Sequence, residues 1–138
     1  MPWKELDHPA DIRLEIEAQS VEELFRASAE AFYSVSAGEF PSCFPNRTRG
    51  PIQIETSQEG DLSELLVRWM NELLFFLETE NIVFLPESID VDVQKGTLVA
   101  QGRWSPATVR GGRVKAVTYG GLELDPGPPW RFRVILDV

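Results

Sequence analysis

The hydrophobic pattern of the chain is strongest in residues 61–80, where apolar side chains spread over most of the circumference of an α-helix. Asp61 and Glu64 have the spacing of a capping box, which marks a helix start. A narrow polar stripe is formed by Glu64, Arg68, Asn71 and Glu72. A helix this apolar is normally buried on several sides, while charges in its middle argue against a membrane span. We therefore predict that this segment is the core helix of the fold.

A second helix is predicted after an alternating strand. Apolar and polar residues alternate from 12 to 18, which is typical of a half-buried strand. Ser20 and Glu23 form another capping box, and the helix that follows should run to about Val35. Tyr33 is expected to face away from the core. The predicted buried face comprises Val21, Leu24, Phe25, Ala31, Phe32 and Val35.

The rest of the chain reads mainly as short strands and turns. Pro86 is expected to end one strand, and Gly120-Gly121 to separate two others. The loop at 37–51 should be anchored by Phe40 and Phe44. Strands are predicted at 52–56, 82–85, 88–94, 97–104, 114–119, around Leu122 and Leu124, and at 130–138. We therefore predict one compact α+β domain over residues 1–138, with two helices packed on a largely antiparallel β-sheet.

The composition restricts the class of protein. A formal net charge of −9 argues against general affinity for polyanions such as nucleic acids. The charge is uneven, because residues 1–92 hold 19 acidic and 6 basic side chains, whereas residues 93–138 hold 3 and 7. Cys43 is the single cysteine, so no intramolecular disulfide can form and a reducing compartment is expected. Since no apolar signal-peptide core follows Met1, we expect a cytoplasmic protein without a membrane partner.

Candidate chemistry is sparse. The chain has no phosphate-binding loop, dinucleotide-binding glycine motif, nucleophile elbow, zinc-protease motif or paired-cysteine motif. Asp7 and Asp11 precede the strand at 12–18, and Asp137 lies on the polar face of the last strand. If these strands are neighbours, Asp11 and Asp137 could converge on a hard cation, which prefers oxygen ligands. Spacing alone nevertheless favours ordinary solvated carboxylates, and a lone His8 is more often a hydrogen-bonded loop residue.

Four blocks of the sequence resemble the archease family. They are DHPADI at 7–12, LLVRWMNELL at 65–74, VKAVTY at 114–119 and VILDV at 134–138, in the family order. The resemblance implies a small cytoplasmic accessory protein, not itself an enzyme, that assists the RNA ligase of tRNA splicing and RNA repair. That ligase joins 2′,3′-cyclic-phosphate or 3′-phosphate ends to 5′-hydroxyl ends. The resemblance further implies that the chain promotes the ligase's GTP-dependent guanylylation and multiple turnover, and meets tRNA or other RNA indirectly.

The resemblance also implies a metal site. The family's two important aspartates fall on Asp11 and Asp137, which reverses the preference given by spacing alone. The bound divalent ion is expected to be Ca²⁺, with Mg²⁺ or Mn²⁺ as alternatives, and to be completed by water or by the Val138 terminus. Asp7 and His8 match the same block and are secondary candidates for ligands.

The chain departs from the family pattern at two positions. Pro9 stands where threonine is usual, which removes a hydroxyl and an N–H group. Gly120 stands where histidine or serine is frequent, so no role is carried over to it. Neither departure touches Asp11 or Asp137.

Two readings from other classes remain open at this point. In the first, Asp11 and Asp137 hold a cation that activates water in a small metal-dependent hydrolase, with His8 as the candidate general base. In the second, the chain is a non-catalytic RNA-binding module whose basic residues share one sheet face. Those residues are Arg103, Arg110, Arg113, Lys115, Arg131 and Arg133.

Overall fold

The computed structural model describes residues 2–6, 11–36, 51–56, 61–106 and 114–138. The described strands form two antiparallel sheets. The elements, in chain order, are β1 (Trp3–Leu6), β2 (Ile12–Ala18), α1 (Val21–Ser36), β3 (Ile52–Glu55), α2 (Leu62–Glu80), β4 (Ile82–Asp92), β5 (Thr97–Pro106), β6 (Ala116–Asp125) and β7 (Trp130–Asp137). Sheet A has the order β1-β2-β7-β6, and sheet B has the order β3-β5-β4. The predicted α+β class is confirmed, but the strands divide between two sheets where the sequence suggested one.

Helix α2 is the core helix, as predicted. It begins where the Asp61 carboxylate accepts a hydrogen bond from the Glu64 N–H at 3.0 Å, and it ends before Asn81, which has a left-handed φ of 54°. The indole N–H of Trp69 donates to the Phe25 carbonyl of α1 at 3.0 Å, which joins the two helices inside the core. The buried residues of α2 are Leu62, Leu65, Leu66, Val67, Trp69, Met70, Leu73, Leu74 and Leu77. Within the described ranges, neither helix combines the length and apolar character needed to cross a membrane.

Helix α1 begins at the predicted cap but buries one residue that the prediction placed outside. The Ser20 hydroxyl accepts from the Glu23 N–H at 3.2 Å, and the Glu23 carboxylate accepts from the Gln19 N–H at 2.9 Å. Tyr33 is only 1% exposed, so its predicted outward orientation is wrong. The reason is tertiary: its hydroxyl accepts a hydrogen bond from the Phe84 N–H of β4 at 2.8 Å, which satisfies a backbone group on an edge strand.

Two predicted strand breaks are bulges inside longer strands. Strand β4 continues through Pro86, with its register shift between Pro86 and Ser88; proline is tolerated there because β4 is an edge strand. Strand β6 continues through Gly121, which has a positive φ of 72° and whose added Cβ would lie 2.6 Å from Ile135.

Two regions complete the comparison with the predicted elements. Strand β1 was not predicted, and it pairs with β2 at the edge of sheet A. The predicted loop at 37–51, with its anchors Phe40 and Phe44, falls outside the described residues except for Pro51.

Candidate functional site

The register of sheet A brings the two predicted aspartates to the same end of the sheet. Strands β2 and β7 are antiparallel neighbours, and their last paired residues at this end are Ile12 and Leu136. Asp11 precedes Ile12 and Asp137 follows Leu136, so each aspartate is the chain neighbour of one member of this last pair. Directly opposed residues of antiparallel strands lie about 4.5–5.5 Å apart at Cα. We call Asp11 and Asp137 the carboxylate pair.

The carboxylate pair lies at an accessible end of the sheet. Ile12 and Leu136 are both buried in the core, at 2% and 0% exposure. Because successive side chains of a strand point to opposite faces, Asp137 of β7 belongs to the face opposite Leu136. Asp137 is exposed and Asp11 is half-buried. The pair is therefore accessible to an ion or to another molecule.

Lys115 and Val138 lie at the same end of the sheet. Strand β6 pairs with β7 through Ala116 and Asp137, and the Lys115 N–H donates to the Asp137 carbonyl at 2.7 Å. The Lys115 side chain is exposed, and Val138 is 37% exposed. Sequence reasoning counted Lys115 among the basic residues only. Lys115 lies beside Asp137 because the β6–β7 register shifts between Thr118 and Glu123. The pattern of neighbouring residues did not predict this shift.

The donor set suits a hard cation but is incomplete among the described residues. Two carboxylates at the same end of a sheet offer oxygen ligands of the kind that Ca²⁺ and Mg²⁺ prefer. In the part of the chain that the structure describes, no three His, Cys, Asp or Glu side chains gather closely enough to hold a metal ion. Asp7 and His8, the secondary candidates, lie outside that part. The pair could thus supply the first two ligands of an ion.

The outer face of sheet A carries a charge ladder across all four strands, formed by Lys4, Glu15, Arg133 and Glu123. Glu15 lies between Lys4 Nζ and Arg133 Nε, at 2.9 and 2.8 Å. Arg133 Nη1 also reaches the Glu123 carboxylate at 3.2 Å. The hydrogen bond from Lys4, and then that from Arg133, holds the pKa of Glu15 below its usual value. The ladder therefore balances its positive charges within the sheet.

The described basic residues do not form the single face that an RNA-binding module would need. Arg131 lies 3.8 Å from the Glu17 carboxylate on sheet A. Arg103 belongs to sheet B, where Glu87 lies 3.4 Å away. Arg110 and Arg113 are outside the described residues. The arrangement gives no support to a continuous basic surface.

Comparison with known proteins identifies the family. The model of the Archease protein family (MTH1598/TM1083) matches residues 3–138. The chain belongs to the archease family. It is 32% identical over 116 residues to Protein archease of Archaeoglobus fulgidus, which covers 84% of this chain and 77% of the relative. It is 27% identical over 154 residues to Protein archease of Methanosarcina acetivorans, which covers 99% and 95%.

A solved structure supports the same assignment. The solution structure of Methanobacterium thermoautotrophicum Protein 1598 matches with a TM-score of 0.69 and 27% sequence identity, over 99% of both chains. The two proteins therefore share one fold over nearly the whole length of both chains.

The four archease-like blocks form one connected region in space. Asn71, in the block at 65–74, donates to the Val117 carbonyl at 3.3 Å and accepts from the Val117 N–H at 3.2 Å. Ala116, in the block at 114–119, pairs with Asp137 of the last block. Leu136 of the last block pairs with Ile12, which together with Asp11 is the described part of the first block. The carboxylate pair is thus continuous with α2 through the beginning of β6.

Proposed function

We propose that this chain is an accessory protein that activates an RNA ligase of the tRNA-splicing and RNA-repair type. It promotes GTP-dependent guanylylation of the ligase and its multiple turnover. Membership of the archease family supports the accessory role. The observation on which the proposal rests is the β2–β7 register, which pairs Ile12 with Leu136 and so brings Asp11 and Asp137 to one accessible end of the sheet.

The residues around the pair suit presentation to a partner. Two carboxylates at the same end of a sheet repel, and a cation shared between them relieves that repulsion. A divalent ion held by Asp11, Asp137 and Val138, Ca²⁺ in the first instance, would offer coordination positions to an oxygen ligand of the ligase. The Lys115 N–H donates to the Asp137 carbonyl at 2.7 Å, so the sheet holds the backbone of Asp137 in place.

Neither alternative gains a supporting observation. The hydrolase would need His8 as its general base, and His8 lies outside the described residues. The RNA-binding module would need an unpaired basic face, whereas Arg131 and Arg133 have carboxylate partners. We therefore expect the protein alone neither to seal RNA nor to hydrolyse GTP. Sustained turnover by a preparation free of ligase would contradict this.

The pair can be tested by single substitutions. Asp11→Ala and Asp137→Ala should each fold, lose divalent-ion binding and fail to support multiple-turnover RNA joining by the ligase. Because each removes one of two repelling charges, the melting temperature without metal should hold or rise, while the stabilisation by added CaCl₂ disappears. Calorimetric titration with CaCl₂ and thermal melts give these readouts.

Asp90→Ala is the matched control, since Asp90 is an exposed aspartate on β4 of the other sheet. It should bind the ion and support joining as the wild type does. Full support of joining by the Asp11→Ala and Asp137→Ala double variant would show that these are ordinary surface residues.

A further inference from the structure

The polar stripe of α2 lies between the edges of the two sheets. Strand β3 is an edge of sheet B and β6 is an edge of sheet A. Arg68 Nη1 donates to the Glu55 carbonyl of β3. Asn71 makes two hydrogen bonds to the backbone of Val117 on β6. Side chains of one helix therefore satisfy one backbone group on the β3 edge and two on the β6 edge.

Part of the β3 edge still faces outward. The Thr56 N–H donates to the Gly96 carbonyl at 2.8 Å, so the backbone groups of Thr56 point towards β5. Those of Ile54, two residues earlier in the same register, also point towards β5. The backbone groups of Gln53 and Glu55 consequently point away from β5. Arg68 binds the Glu55 carbonyl, and no described strand pairs with Gln53 on this side. An outward-facing edge of this kind is a template for an added strand.

A groove of about 420 Å³ runs between this edge and α2. Phe75 forms part of the wall of this groove and is 54% exposed, which makes it more exposed than its neighbour Phe76. Its ring packs edge-on against Phe76 at 5.4 Å, and Phe76 packs against the buried Trp104 at 4.9 Å. An exposed aromatic ring supported from the core is typical of an anchor in a protein interface.

The charge of the groove favours a basic segment as its ligand. Among the described residues that line it, Glu55 and Glu72 carry negative charge and Arg68 carries positive charge, so negative charge is in excess. A segment with lysine or arginine side chains would balance the carboxylates, and an arginine could stack on Phe75. An acidic segment would meet repulsion from both glutamates.

We propose that this groove docks an extended, lysine- or arginine-bearing segment of the ligase, which pairs with the backbone of Gln53 and packs on Phe75. The identity of the partner rests on the function proposed above. The groove adjoins the carboxylate pair, because Asn71 of the groove binds Val117, and the neighbouring Ala116 pairs with Asp137.

Binding of the purified ligase, measured by titration for the wild type and three variants, tests the groove. Phe75→Ser and Glu72→Lys should each weaken binding by about tenfold or more, while their melting temperatures stay near that of the wild type. Glu22→Lys is the matched charge reversal, since Glu22 is exposed on α1, away from the groove, and it should change the affinity by less than about twofold.

Hydrogen exchange provides a second readout that a simple surface contact would not give. On adding the ligase, exchange at the Gln53 N–H should slow, whereas the Ile54 N–H, already directed at β5, should change little. Unchanged affinity in Phe75→Ser and Glu72→Lys, or unchanged exchange at Gln53 in the complex, would overturn the docking proposal while leaving ligase activation standing. A wild-type protein that neither binds nor activates the ligase would overturn both.

Discussion

Replacing Trp69 by alanine removes the largest fully buried side chain and tests whether α2 is the core of the fold. Trp69 is 0% exposed. Its ring lies edge-on to Phe25 at 6.3 Å and to Phe84 at 6.1 Å, and its N–H donates to the Phe25 carbonyl at 3.0 Å. The substitution therefore removes contacts with α1 and with sheet B at once.

The expected loss of stability is large. Truncating a buried aromatic residue to alanine typically costs about 3–5 kcal/mol. Two edge-on ring pairs and a buried hydrogen bond place Trp69→Ala at the upper end, about 4–5 kcal/mol. Domains of this size are stable by about 5–15 kcal/mol, so the variant would lose a major fraction of its free energy of unfolding. Trp69→Phe, which keeps a ring but loses the N–H, should lie between the variant and the wild type.

Urea unfolding followed by circular dichroism measures the effect. With a dependence on urea of about 1–3 kcal/mol per molar, the midpoint of Trp69→Ala should fall by more than about 1 M. Phe75→Ala is the control on the same helix, and because Phe75 is 54% exposed its stability should stay within about 0.5 kcal/mol of the wild type. Equal midpoints for Trp69→Ala and the wild type would refute the assignment of α2 as the core.

Two further substitutions probe the sheets. Tyr33→Phe removes the hydroxyl that accepts from the Phe84 N–H, so it should lower the free energy of unfolding by about 1–3 kcal/mol and speed exchange of the Phe84 amide; unchanged exchange would contradict that role. Glu15→Gln tests the charge ladder: because Lys4, and then Arg133, holds the Glu15 pKa below 4.5, the wild type should be the more stable above that pH. Its advantage should shrink as the pH falls through the lowered pKa, and a difference that persists in strong acid would be inconsistent with the ladder.

Local patterns predicted the elements that depend on neighbouring residues. The capping residues Asp61 and Ser20 start α2 and α1, and strict alternation gives β2 its observed bounds of Ile12–Ala18. These signals depend on residues only a few positions apart, so they can be recognised without knowledge of the fold. The burial of Tyr33 does not follow from its helix alone, because the partner of its hydroxyl is the distant Phe84.

Long-range pairing decided what the sequence alone left open. Pro86 suggested a strand end, yet an edge position and a bulge let β4 continue past it. Spacing favoured ordinary solvated carboxylates at Asp11 and Asp137, and only the resemblance to archeases favoured a site there. The β2–β7 register then brings the two residues to the same end of sheet A, and divalent-ion binding by them stays a prediction.

The central claim is activation of the ligase through the carboxylate pair, and enzyme-bound guanylate is its most direct measure. The cognate ligase, mixed with GTP and a divalent ion, is followed with no addition, with the wild-type chain, with the Asp11→Asn and Asp137→Asn double variant, and with Asp90→Asn. The account predicts faster formation of guanylylated ligase with the wild type and with Asp90→Asn, and no gain over ligase alone with the double variant. Equal acceleration by the double variant, or no acceleration by the wild type, would contradict it.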